Sequence, residues 1–203
     1  MKTLHLLTLS LALACACSGN PTPPPVTPEK KPAPAASSSV AAEPVPKWLQ
    51  HFPGLYVRSG DDIVEAPKDD IALAKTYPTW KDKGPLVDGH RITIMTSKLT
   101  LHLGEEARVI HVHEIPVEGE TLFPMGPKPV RGELLDGKLG SATSLSDPNP
   151  FVPDMYDGVT LPSPGADYSW DITRYKFVAP GQHTVQWKPG KYASNILVLT
   201  VVP

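Results

Sequence analysis

The sequence predicts an all-β fold, an antiparallel sandwich over residues 99–203 preceded by a small β-rich extension over 48–98. Three observations predict it. Apolar residues in this region recur in twos far more often than in threes and fours, as in Leu99, Leu101 and Leu103. Gly and Pro turns divide the chain into short segments, with Asp136-Gly137, Pro180-Gly181 and Pro189-Gly190 as the clearest. Only Asp70 to Tyr77 carries local helical character.

Composition bounds the rest. The chain has 203 residues, 25 prolines and 2 cysteines, with a formal net charge of −2. Both cysteines precede residue 18, so residues 48–203 hold no disulfide, Cys-ligated zinc or cysteine nucleophile. The near-neutral charge gives no footprint for nucleic acid. No apolar run after residue 17 approaches the roughly 20 residues of a membrane helix.

Residues 1–17 read as an address. A basic start at Lys2 is followed by the apolar stretch Leu4 to Ala14 and then small residues, the layout of a secretory signal. Nine of the 25 prolines fall between Ser18 and Lys47, a segment without aromatic residues. Such a stretch cannot bury enough apolar area to offset the entropy of ordering, so 18–47 reads as a disordered, partly extended tether.

From Trp48 onward, short strands are expected at Leu55 to Arg58, Asp62 to Glu65 and Arg91 to Met95, either as a subdomain or as part of the same sheets. Leu99 to Leu103 and Val109 to His113 flank Gly104 and read as a hairpin. The run Pro129 to Leu135 leads through Asp136-Gly137 into Lys138-Leu139, a second hairpin. Tyr168 to Val178 reads as an aromatic strand, with Trp170 facing inward. Gln182 to Trp187 places His183, Val185 and Trp187 on one face, and Ser194 to Val202 closes the fold with a nearly continuous apolar run.

Two resemblances follow from these residues. Leu13-Ala14-Cys15-Ala16-Cys17 resembles the lipobox of bacterial lipoproteins. The resemblance implies that a cysteine thiolate takes a diacylglyceryl group and becomes the first mature residue, palmitate-type acylation included. Cys17 is preferred because the chain turns polar straight after it; Cys15 is the alternative. Ser18 or Ala16 after the modified cysteine, rather than Asp, implies the outer membrane. The second resemblance is Lys176-Phe177-Val178-Ala179-Pro180-Gly181-Gln182-His183-Thr184-Val185 followed by Ser194 to Val201. This is similar to the last strands of Ig-like domains in bacterial surface proteins, with His183 where a tyrosine usually stands. It implies an Ig-like sandwich and leaves function open.

Candidate sites are few. His111 and His113 leave one face of a strand, and a closed hairpin would bring His102 diagonal to His111, a way to hold Zn or Cu. The competing reading is a solvated polar face. Residues 141–167 form a long segment rich in Pro and Asp, without an EF-hand pattern for Ca²⁺. There Phe151, Asp154, Met155, Tyr156 and Asp157 offer a tip for an envelope protein partner, unless the apolar members tuck down as a lid. No phosphate loop, nucleophile elbow or His-Glu-x-x-His is present. The expectation is a non-enzymatic, lipid-anchored envelope module, with no cofactor required. A periplasmic Zn/Cu binder and an Ig-like protease inhibitor are the alternatives.

Overall fold

The computed structural model describes residues 44–140, 150–152 and 156–203. Residues 43–203 form one compact unit, described here by itself. Cys15, Cys17, Asp154 and Met155 lie outside the described residues. Among the described residues no helix is long and apolar enough to cross a membrane.

The N-terminal part is short and mixed. A 3-10 turn (Lys47–Leu49) leads to a hairpin of β1 (Tyr56–Ser59) and β2 (Asp62–Glu65), then α1 (Lys68–Ala74) and a second 3-10 turn (Tyr77–Thr79). Pro67 opens α1, where its missing N–H costs nothing, and Asp69 and Asp70 occupy the first turn. Next come β3 (Leu86–Val87), β4 (His90–Met95), β5 (Thr100–His102) and β6 (Glu106–Ile115). Then follow β7 (Thr121–Leu122), β8 (Glu133–Leu135), β9 (Lys138–Leu139), β10 (Leu161–Pro162) and β11 (Gly165–Asp167). The chain ends with β12 (Thr173–Lys176), β13 (Gly181–Trp187) and β14 (Ile196–Val202).

Two sheets face each other. The first runs β3-β4-β6, with β11 and β12 sharing the far edge of the long β6. The second runs β5-β14-β13-β8-β9. Every pairing between strands is antiparallel except β5 with β14, which is parallel. This is an antiparallel β-sandwich, in which the chain leaves the first sheet after β4, joins the second as β5 and returns to the first as β6. The β8–β9 connection is the expected two-residue turn, with Asp136 at φ 51° and Gly137 at φ 73°.

Two expectations are corrected here, and one open alternative is decided. Residues 99–103 and 109–113 do not form a hairpin. At Gly104 (φ 81°) the chain passes between sheets, Leu103 N–H donating to Val202 O and Gly104 N–H to Phe177 O, so β5 joins β14 while β6 joins β4. Of the two placements open for residues 91–95, the structure has the second: β4 pairs with β6 over five residues inside the sandwich. Residues 141–167 are not one loop, since β10 and β11 pair with β7 and β6.

Two cores result. Between the sheets lie Ile92, Ile94, Val109, Trp170, Val185, Trp187 and Leu199 with their neighbours. On the outer face of the first sheet, Leu55, Tyr77, Met95, Ile110, Val112 and Tyr168 pack under the N-terminal segment. The first sheet is therefore buried on both faces. Strand β6 shows it directly, being buried almost throughout.

Candidate functional site: the buried networks of β6 and the imidazole cleft

Because β6 is covered on both sides, its polar residues can persist only where the fold supplies partners. On the inner side, His111 Nε2 donates to Glu133 Oε1 at 2.8 Å, and the Tyr175 hydroxyl donates to Glu133 Oε2 at 2.5 Å. This ties the first sheet to the second through fully buried side chains. Burial works against the Glu133 charge, but the His111 charge and the hydrogen bonds of His111 and Tyr175 outweigh it and hold its carboxyl below the usual range. His111 Nδ1 is buried without a partner, and the Trp187 ring stands edge-on 5.1 Å away.

On the outer side, Glu114 accepts from the Tyr77 hydroxyl at 2.5 Å, from Arg91 at 3.0 Å and from Lys83 at 3.2 Å. Burial, then the Glu114 charge, pushes the Tyr77 phenol up, so it stays a neutral donor. Arg108 pairs with Asp70 of α1 at 2.8 Å. These contacts fasten the N-terminal segment onto the sheet. A third buried pair, Lys128 with Asp167, sits against Trp170, whose ring lies 4.3 Å from the ammonium. Burial lowers the Lys128 pKa, with Asp167 opposing.

One cleft opens on this system. It has a volume of about 260 Å³ and is lined by His90, His113, Glu120, Thr121, Phe123, Phe151, Val152 and Tyr192. His113 comes from β6 and His90 from the start of β4, where Asp88-Gly89 turns the chain back from β3 with positive φ at both positions. The two imidazoles meet at 2.9 Å, His90 Nδ1 to His113 Nε2, with their rings 9° from coplanar. Phe151 stacks on His113 at 3.9 Å, and Tyr192 stands edge-on to His90 at 5.4 Å. Burial, reinforced by His90 and Lys128, holds the His113 pKa well below its ordinary value. Burial also lowers His90, against the pull of Glu120. At neutral pH the pair is therefore uncharged and joined by one N–H···N bond. It offers hydrogen-bonding edges between aromatic walls, an arrangement suited to holding a polar or aromatic group.

The expected site residues are thus redistributed. His102 is exposed at the edge of the second sheet, its Nδ1 3.1 Å from Pro203 O. It is not brought together with His111 and His113, which face the core and diverge to Glu133 and His90 respectively. Neither a metal triplet nor a solvated imidazole face results, because the hairpin that would create either does not form. Among the described residues no group of three or more His, Cys, Asp or Glu is placed to hold a metal ion. Phe151 is 4 % exposed and forms the cleft wall instead of an exposed tip. Tyr156 is half-buried, its hydroxyl donating to Val159 O at 2.6 Å and accepting from Met125 N–H at 3.1 Å. Asp157 is exposed. His183 has Nε2 3.4 Å from Ala179 O and Nδ1 2.8 Å from Asp136 Oδ2, and the Asp136 bond raises its pKa.

Sequence reasoning missed His90, Glu133, Lys128 and Tyr192. Asp88-Gly89 was the available signal for His90, a two-residue hairpin turn whose next residue begins a strand. Glu133, Lys128 and Tyr192 carried none. No family profile, curated protein or solved structure matches the chain.

Proposed function

We propose that this chain is a lipid-anchored envelope protein whose domain is a non-catalytic binding or structural module, presenting the His90–His113 cleft to a partner. The reading is supported above all by how the chemistry-bearing side chains are used. Glu133, Glu114 and Asp167 are each committed to buried partners within the fold, and the cleft keeps neutral imidazoles between Phe151 and Tyr192. Groups in that state recognise a ligand by hydrogen bonding and stacking. The lipobox-like cysteines, Cys17 or else Cys15, would carry the lipid, Ser18 favours the outer membrane, and residues 18–47 would give the domain reach from its anchor. Anchoring confines the domain to a surface and raises its effective concentration toward envelope proteins.

Two measurements test this. Mass spectrometry of the mature N-terminus should find a lipid-modified cysteine; an unmodified serine or alanine there overturns the anchor. Photo-cross-linking from Thr121, at the rim of the cleft, should capture one envelope protein in cells and lose it in a His90→Ala variant. Unchanged capture in that variant overturns the cleft as the contact. A second reading, Zn²⁺ or Cu²⁺ binding, is favoured by one observation, two neutral imidazoles whose nitrogens converge to 2.9 Å. Titration with either ion decides it: no affinity tighter than millimolar removes this reading.

A further inference from the structure

Charge is distributed unevenly around the imidazole cleft. Among the described residues that line it, Glu120 is the one acidic side chain, and no lysine or arginine is there to hold an anion. The main chain at Glu120 is fixed: its N–H donates to Ser163 Oγ at 2.9 Å, and its carbonyl accepts from Ser163 N–H at 2.9 Å. The carboxylate itself is exposed and has no partner among the described residues. It is nonetheless close enough to be the strongest electrostatic influence on His90. The charges beside and behind the lining are already balanced, Lys191 by Asp88 at 2.5 Å and Lys128 by Asp167. The cleft therefore carries one uncompensated negative charge.

We propose that the cleft receives a basic side chain of the partner, a lysine or arginine whose cationic head pairs with Glu120 and whose stem lies against the aromatic lining. The rest of the lining suits that guest. The imidazoles share one N–H between nitrogens 2.9 Å apart, so a neutral pair keeps one lone pair on its outer nitrogens as an acceptor for an N–H donor. Phe123 and Tyr192 add aromatic surface, and Tyr192 already has the Lys191 ammonium 5.3 Å from its ring centre. A planar guanidinium would in addition stack on such rings, which favours arginine. At about 260 Å³ the cleft lies below the roughly 300–1,000 Å³ of sites for whole small molecules, and so fits one inserted side chain. The inference rests on the reading of this cleft as the partner contact and names what the partner inserts.

The test titrates N-acetyl-arginine methylamide into the full chain, with the uncharged isostere N-acetyl-citrulline methylamide as control, and follows the imidazole C–H resonances of His90 and His113 by NMR. The expected result is a saturable shift with the arginine compound and binding weaker by about fivefold or more for citrulline, and for arginine with Glu120→Gln. That variant should keep the parent's thermal midpoint, because the main-chain bonds to Ser163 remain. Equal binding of the two compounds, no saturable shift with arginine, or undiminished arginine binding in Glu120→Gln overturns the inference. Capture from Thr121 in cells tells its failure from that of the reading beneath it. Capture lost in both His90→Ala and Glu120→Lys is expected. Capture lost in His90→Ala but unchanged in Glu120→Lys keeps the cleft as the contact and overturns the basic side chain. Capture unchanged in both overturns the contact itself, and the inference with it.

Discussion

Replacing Glu133 by Leu probes the buried link between the sheets. The substitution keeps the approximate volume but removes the acceptor that serves both His111 Nε2 and the Tyr175 hydroxyl. His111 already has an unpartnered Nδ1, so the ring would then be buried with neither nitrogen satisfied. Two stranded donors at about 1–3 kcal/mol each give a loss near 4 kcal/mol, in line with about 3–5 kcal/mol for breaking a buried pair on one side. For a domain of this size that lowers the thermal midpoint by roughly 8–16 °C. The double variant His111→Leu/Glu133→Leu should recover at least half the loss, because an apolar pair strands nothing but the half-buried Tyr175 hydroxyl. Urea and thermal unfolding followed by tryptophan fluorescence give both values, since Trp187 packs against His111. A single variant losing less than about 1 kcal/mol, or a double variant as unstable as the sum of its singles, refutes the reasoning. The link also has a pH signature. The folded pKa of Glu133 is depressed, so its contribution is complete above the unfolded carboxylate value of about 4.3 and disappears as pH falls through the folded value.

Two further predictions use other parts of the fold. His90 and His113 have depressed pKa values, so the unfolded chain binds more protons than the folded one once pH drops below about 6.5. The urea midpoint should therefore fall between pH 7 and pH 5.5, above the window of Glu133, and His113→Phe should flatten that slope; an unchanged slope places the titration elsewhere. Gly84→Ala should be among the most damaging single methyl additions, because a Cβ there would sit 2.0 Å from Ile92 O and disturb the Gly84 N–H bond to Thr93 Oγ1. A soluble, wild-type-stable Gly84→Ala protein, measured by the same unfolding curves, would contradict the packing described around β4.

The parts of the fold legible in the sequence were those whose cause is local. Asp136-Gly137 announces its hairpin because few other residues adopt the left-handed backbone of that turn. The alternation of Val185 and Trp187 with polar neighbours announces β13, because one face of the second sheet meets the core and the other does not. Strand β6 shows where this logic stops. His111 and His113 alternate with Ile110 and Val112 as though one face were wet, yet both faces are dry. An alternating pattern tells which residues share a side, and nothing in it tells what lies on that side. The N-terminal segment that buries Ile110 and Val112 is distant in sequence, as is Glu133, which makes a buried imidazole tolerable.

The Gly104 corner makes the same point about pairing. Leu99 to Leu103, a glycine and Val109 to His113 have the local features of a hairpin. The fold instead passes the chain between sheets, because β14 and β4 offer better partners than the neighbouring strand does. The sequence by itself determined the strand-rich composition, the turns, the proline-rich segment and the lipobox-like cysteines, all properties of contiguous residues. Only the tertiary structure decided that His113 meets His90 while His111 meets Glu133, and that Phe151 walls a cleft. Those follow from strand register and layer order, which depend on contacts between residues far apart in the chain.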